Sequence, residues 1–305
     1  VSGGATGARG RRWLRAAAIL VALVLLLFVA NGLDPRWRTP RSGSAGPSDP
    51  RSASEIRILA FNAAKFDFYL GSFRFAGADA IRSRLAVLAQ TIRRERVDLC
   101  FLSEVVMEAG PGSIDQVEEL AKSSGLAQWA SGENYSFGWP FLCIRSGNAL
   151  LSRFPMEALR VEPLPGTRPY WNPTGRRRVL WCDLEIGGER YLAGSIRNDS
   201  FDLVNNLAQT RVLLERCSGR PAILAGDFNA GPETESIQAI VESGRFVAAL
   251  AGGPTYPAEA PRRRIDHVFA PAGWQLVEDR TLAIGSSDHL AVLAVYRLPA
   301  TSAPR

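Results

Sequence analysis

Beyond residue 54 the chain alternates between short apolar runs and amphipathic stretches. IRILAFNAA (56–64) predicts a strand, and VDLCFLSEV (97–105) a buried one. DAIRSRLAVLAQTIRRE (79–95) sets Ile81, Leu85, Leu88 and Ile92 at helical spacing, with arginines on the other faces. FLCIRS and NALLS, within 141–152, predict a pair of strands with Gly147 between them. RRVLWCDLEI (177–186) and RYLAGSI (190–196), split by Gly187-Gly188, predict a hairpin. NNLAQTRVLLERC (205–217) predicts a helix, AILAGDFN (222–229) a strand, and SIQAIVES (236–243) a short helix that Gly244 ends. RIDHVFAP (264–271), WQLVEDRTLA (274–283) and LAVLAVYRL (290–298) predict three further strands. That is about ten strands, too many for a simple alternating βαβ sheet. The pattern predicts an α/β fold with two packed sheets flanked by helices, a four-layer sandwich.

The N-terminal segment has a different pattern. RGRRWLR (9–15) leads into AAAILVALVLLLFVA (16–30), fifteen consecutive apolar residues. With Trp13 and Leu14 added, and Arg15 snorkelling, the run reaches the lower limit for a membrane span. It predicts a transmembrane signal anchor over 13–32 behind a basic cytoplasmic tail, 1–12. The alternative is a secretory signal peptide cleaved near Ala30-Asn31-Gly32, with the remainder secreted. Four arginines precede the run; Arg36, Arg38 and Arg41 follow it, partly offset by Asp34. The bias puts the N-terminus inside and the large domain in an extracytoplasmic place. Residues 33–54, rich in Pro, Ser, Gly and Arg, predict an extended linker. One domain is expected over 55–299, and 300–305 reads as a loose end.

Charge changes the picture less than the net value of +6 suggests. Residues 1–54 hold eight of the 36 basic residues and two of the 30 acidic ones, which already gives +6. The rest of the chain is balanced and exerts no long-range pull on a polyphosphate. Cys100, Cys143, Cys182 and Cys217 form no CxxC or Cys/His cluster, so no zinc site is expected. They are expected to be buried free thiols; an extracytoplasmic location would favour a disulfide, whose pairing spacing cannot choose.

The chemistry lies where the apolar runs stop. Asn62 follows ILAF, Glu104 follows LCFLS, and Asp227 and Asn229 follow ILAG. Asp266 and His267 interrupt a strand, and Asp288-His289 precede LAVLAVY. A single strand-end Asp or Asn is a turn former. Six or more at the margins of core strands predict convergence on one edge of the sheets. Carboxylate and amide oxygens suit a hard cation such as Mg2+ or Mn2+, and an added carboxylate and imidazole suit the hydrolysis of a phosphate ester.

FN (61–62), SE (103–104), GNALLSRFP (147–155), GDFNAGP (226–232), RIDHVF (264–269) and SDH (287–289) resemble the endonuclease/exonuclease/phosphatase family in order and spacing, over about residues 56–298. The resemblance implies a two-sheet sandwich and hydrolysis of phosphodiesters or phosphomonoesters, in substrates such as lipid head groups, nucleotides or nucleic acids. It implies that Glu104 is the principal metal ligand, with Asn62 beside it and Asp288 assisting the metal or water. Asp227 would position or activate the water, and Asn229 would donate to a phosphate oxygen or the metal site. His289 would contact the phosphate, with Asp266 holding its ring. His267 is expected to be a core or edge residue. No protein partner is legible.

One position departs from the family pattern. Where a second histidine is expected, before Asn198-Asp199, the chain has Arg197, and its only histidines are His267 and His289. Arginine keeps a phosphate-binding cation but cannot shuttle a proton near neutral pH. The departure leaves two outcomes open: an enzyme in which Arg197 clamps the phosphate, or a binding module that has lost catalysis. Two substrate clues are weaker. The aromatics of KFDFYLGSFRF (65–75) are expected to pack within their loop, although they could stack on a base or meet a lipid surface. The arginine triplets 176–178 and 262–264 are expected to be solvated strand flanks.

Overall fold

The computed structural model describes residues 4–33, 39–49, 54–71, 74–110, 113–139, 142–167 and 176–299. The elements in chain order are α1 (Gly4–Leu33), β1 (Arg41–Ser44), β2 (Glu55–Asn62), β3 (Tyr69–Gly71), β4 (Arg74–Phe75), α2 (Ala78–Arg94), β5 (Leu99–Ala109) and α3 (Gln116–Ser124). There follow β6 (Gln128–Trp139), β7 (Leu142–Ser152), β8 (Met156–Pro163), β9 (Arg178–Ile186), β10 (Glu189–Arg197) and α4 (Leu203–Arg216). The last are β11 (Ala222–Asp227), α5 (Glu235–Glu242), β12 (Phe246–Ala249), β13 (Asp266–Pro271), β14 (Gln275–Leu282) and β15 (Ala291–Arg297).

One sheet has the order β1-β6-β7-β5-β2-β15-β14, and the other β12-β13-β11-β10-β9-β8. The alternation of side chains along each strand explains the layers. In β2, Ile56, Ile58 and Ala60 enter the core between the sheets, where they meet Leu180, Ile223, Ala225 and Val268. Leu59 and Phe61 point the other way and pack under α2 and α3 with Leu85, Leu88, Ile92 and Leu120. The outer face of the second sheet is covered in the same way by Leu213 of α4 and Ile237 and Ile240 of α5. Strands buried on both faces carry continuous apolar runs rather than alternation, which is why they stand out in the sequence. The result is the expected two-sheet sandwich with outer helices.

Three local expectations need correction. FLCIRS and NALLS form one strand, β7, rather than a pair. Gly147 is not a turn: a Cβ there would stand 1.9 Å from the carbonyl oxygen of Gly132, so β6 approaches too closely for a side chain. β7 pairs with β6 on one side and with β5 on the other. Second, residues 41–44, inside the stretch expected to be a tether, pair with β6 as an edge strand. Third, the arginine triplets are not simply solvated flanks. Arg177 and Arg178 are buried, as is Arg264, which forks onto Asp279 at 2.8 Å.

The N-terminal helix holds a 20-residue segment, Gly10–Val29, long and apolar enough on average to cross a membrane. Its side chains are exposed, except that Phe28 meets Trp139 edge-on at 5.6 Å and Trp139 Nε1 donates to the Val24 carbonyl. All four cysteines are free and buried.

Candidate active site

Both sheets end in polar side chains at the same edge. In the second sheet the register sets Arg197 of β10 beside Asp227 of β11, and Asp227 beside Asp266 of β13. These three residues form a row across adjacent strands. In the first sheet Asn62 closes β2 opposite Ser103 of β5. Glu104 follows at an irregularity in the pairing of β5 with β7, where φ turns to 56°. A bulge of this kind re-aims a side chain.

The edge is also where the backbone is unusual. Among the described residues, the non-glycine positions with positive φ are Ala64, Lys65, Phe66, Asp67, Arg96, Glu104, Asn229 and Ser286. All but Arg96 lie in segments that build this edge. Such conformations persist only where the surroundings hold them.

Asn62 is buried and bridges the two sheets. Its Nδ2 donates to Asp227 Oδ2 at 2.9 Å and to Glu104 Oε1 at 3.2 Å, and lies 3.4 Å from His289 Nε2. Asp227 also accepts from the backbone N–H of Asn229 at 2.9 Å and from Asn229 Nδ2 at 3.0 Å. Burial and the neighbouring Asp266 carboxylate raise its pKa to about 6, although His289 and Arg197 pull it down. His289 Nδ1 bonds Asp266 Oδ2 at 2.8 Å, which leaves Nε2 facing the cleft. Burial opposes its charge, but Asp266, Asp227 and Asp288 outweigh it and raise the pKa to about 9. Asp288 stands at the rim, 59% exposed, 4.0 Å from His289 Nε2. His267 is wholly buried, bonded through Nε2 to the Ala230 carbonyl; burial lowers its pKa to about 4, and it belongs to the core as expected.

Glu104 has partners that the sequence pattern did not announce. Arg197 Nη2 meets its Oε1 at 2.5 Å, and the ammonium of Lys65 contacts its Oε2. Burial would raise its proton affinity, but the two cations outweigh it and hold the carboxylate well below its usual range. Arg197 Nε also lies 3.8 Å from Asp227 Oδ2. The structure therefore brings together Asn62, Glu104, Arg197, Asp227, Asn229, Asp266 and His289, with Asp288 at the edge. Sequence reasoning missed Lys65, which lies in a loop with no periodicity. A compositional signal was present: only Lys65 and Lys122 among the 36 basic residues are lysines.

Ligand atoms of Asp227, Asp266 and His289 lie within 4.8 Å of one another, a group that can hold a metal ion. Asp266 Oδ1 is buried without a hydrogen-bond partner, which suits a cation. The donor set fits a hard divalent ion there. The oxygens of Glu104 are engaged, Oε2 by Lys65 and Oε1 by Arg197.

Residues 59–289 match the model of the Endonuclease/Exonuclease/phosphatase family. The chain belongs to that family. No curated protein matches the sequence. Among solved structures, it is similar to an endonuclease/exonuclease/phosphatase from Beutenbergia cavernae DSM 12333, with TM-score 0.65 and 24% identity over 83% of this chain and 74% of that one. It is also similar to the mannosyl-6-phosphatase Bt3783 of Bacteroides thetaiotaomicron VPI-5482, with TM-score 0.56 and 15% identity over 79% of this chain and 99% of that one. A third is D. rerio TDP2 complexed with single strand DNA product, with TM-score 0.55 and 16% identity over 80% of this chain and 100% of that one. At these identities the likeness is one of fold.

Proposed function

We propose that the chain is a membrane-tethered, divalent-metal-dependent hydrolase of phosphate esters, either diesters or monoesters. The observation that carries this reading is the buried row Arg197–Asp227–Asp266, closed by His289 and bridged by Asn62 to Glu104. In this reading Asp227, with its pKa raised to about 6, accepts a proton from the attacking water. His289 stays protonated at neutral pH and donates through Nε2 to a phosphoryl oxygen, while Asp266 fixes its ring. Asn229, aimed by its strained backbone, donates to a further phosphate oxygen. Arg197 supplies the cation that a histidine supplies elsewhere in the family, with fork geometry suited to phosphate. Glu104, Asn62 and Asp288 would hold the metal, Mg2+ or Mn2+, while Asp227, Asp266 and His289, a group that could itself hold an ion, keep the roles just given. When bound, the ion neutralises phosphate charge and polarises the P–O bond.

The apolar helix supports a location at a membrane, through a retained anchor, and there lipid head groups, nucleotides and nucleic acids are all within the class. The similar structures include a mannosyl-6-phosphatase and a protein complexed with single strand DNA product, so they do not narrow the substrate class. The test is hydrolysis of bis-p-nitrophenyl phosphate and p-nitrophenyl phosphate by the full chain in detergent, with and without Mn2+. Turnover is expected to need the metal and to fall by a factor of about 100 or more in Asp227→Asn and Glu104→Gln. Metal-independent background in all three proteins would sink the reading. Arg197 favours a second reading, a phosphate-binding module without turnover; phosphate binding with no hydrolysis in the same assay would select it.

A further inference from the structure

We propose that Lys65 is a resident cation of the site, which holds Glu104 until a divalent ion displaces it. The inference rests on the metal-dependent reading above and specifies how the metal gains its ligand. Three observations carry it. The first is charge. Glu104 and Asp227 face Lys65 and Arg197, two carboxylates against two cations: Lys65 and Arg197 take the two oxygens of Glu104, and Arg197 is shared with Asp227. A divalent ion added to that balance leaves a net buried charge, which is costly. Entry of the ion therefore requires a resident cation to leave.

The second observation identifies which one leaves. Arg197 is fixed between two carboxylates, Glu104 and Asp227, and sits in a sheet row. Among the described residues, Glu104 is the only ion-pair partner of Lys65, whose side chain is 26% exposed and can swing toward solvent. The third observation is that the contact is built rather than incidental. Ala64, Lys65, Phe66 and Asp67 all have φ between 40° and 61°, in the left-handed region that L-residues avoid. That run is held by Asn62 Oδ1 accepting from Ala64 N–H, by Gln116 Nε2 donating to the Lys65 carbonyl, and by Arg84 donating to the carbonyls of Phe66 and Asp67. The ring of Phe66 is fully buried against Phe61. In a chain that uses arginine almost everywhere, lysine stands here. Its compact, strongly hydrated charge gives up one carboxylate more easily than a guanidinium fork does.

Competition for one ligand is reciprocal: whatever Lys65 gains from Glu104, the metal must make up. The test measures Mn2+ affinity by calorimetry on the full chain in detergent, for wild type, Lys65→Met, Glu104→Gln and the double variant. Lys65→Met is expected to bind Mn2+ about tenfold or more tightly than wild type, and the gain is expected to vanish when Glu104 is also replaced. Equal affinity in wild type and Lys65→Met overturns the proposal alone. Absence of binding in both overturns the proposal and the metal-dependent reading together. A crystal of the wild type with Mn2+, located by its anomalous signal, needs no variant. It supports the proposal if the Lys65 ammonium has left Glu104, and overturns it if ion and ammonium share the carboxylate.

Discussion

At the scale of single residues, the site is governed by how buried charges are balanced. Burying a carboxylate such as Asp227 costs several kcal/mol unless partners compensate, and here Asn62, Asn229 and Arg197 do so in part, leaving its pKa raised to about 6. His289 shows the same balance from the cationic side. Its pKa is about 9 in the folded chain against about 6.5 unfolded, so the fold binds its proton more tightly. The stabilisation is complete below about pH 6.5 and fades as pH rises through about 9. In chelator, the difference in Tm between wild type and His289→Gln is expected to shrink steadily from about pH 7 to about pH 10. A difference that grows with pH would contradict the Asp266–His289 pairing. Arg197→His tests the clamp: it is expected to keep or raise turnover, because imidazole can both bind phosphate and move a proton. Collapse of activity in that variant would instead tie catalysis to the guanidinium. Most of these residues were legible in the sequence because each is a polar type placed where an apolar run should continue. Lys65 was not, because its meeting with Glu104 depends on a left-handed turn that no periodicity encodes.

At the scale of elements, the close approach of strands decides what the sequence must contain. Gly226, the residue before Asp227, has φ of 140°, and a Cβ there would stand 2.2 Å from the Ile196 carbonyl oxygen. The glycine of GDFN is therefore required by the packing of β10 on β11, while Asp227 and Asn229 after it belong to the candidate site. Gly226→Ala is expected to cost about 2 to 4 kcal/mol in urea denaturation and to depress turnover by shifting Asp227. Unchanged stability would show that the two strands can separate without loss. The elements the sequence concealed share a physical cause. β6, QWASGENYSFGW, carries Glu133, Asn134 and Ser136 as buried polar residues, so it lacks the apolar signature of its neighbours. One of these polar groups is tied to the neighbouring strand, Asn134 Nδ2 donating to Asn148 Oδ1 at 3.2 Å. The helix α3 is short and begins on Asp115, whose carboxylate accepts from the N–H groups of Val117 and Glu118. A capping residue inside a loop-like sequence gives little warning of the helix behind it.

At the scale of the whole molecule, the exposed apolar helix is the feature on which the proposed membrane location depends. The full chain is expected to sediment with membranes and to resist extraction by alkaline carbonate, whereas a peripheral association would be released. Release of the intact chain would remove the anchor from the proposed function without touching the site. The edge strand β1 carries a further consequence. Because Arg41–Ser44 is already stitched to β6, only the eight steps from Leu33 to Arg41 separate helix from sandwich. Fully stretched, they span roughly 28 Å. If the helix is retained in a bilayer as proposed, so short a leash keeps the candidate cleft in a thin shell above the lipid, and a substrate would have to come to that shell.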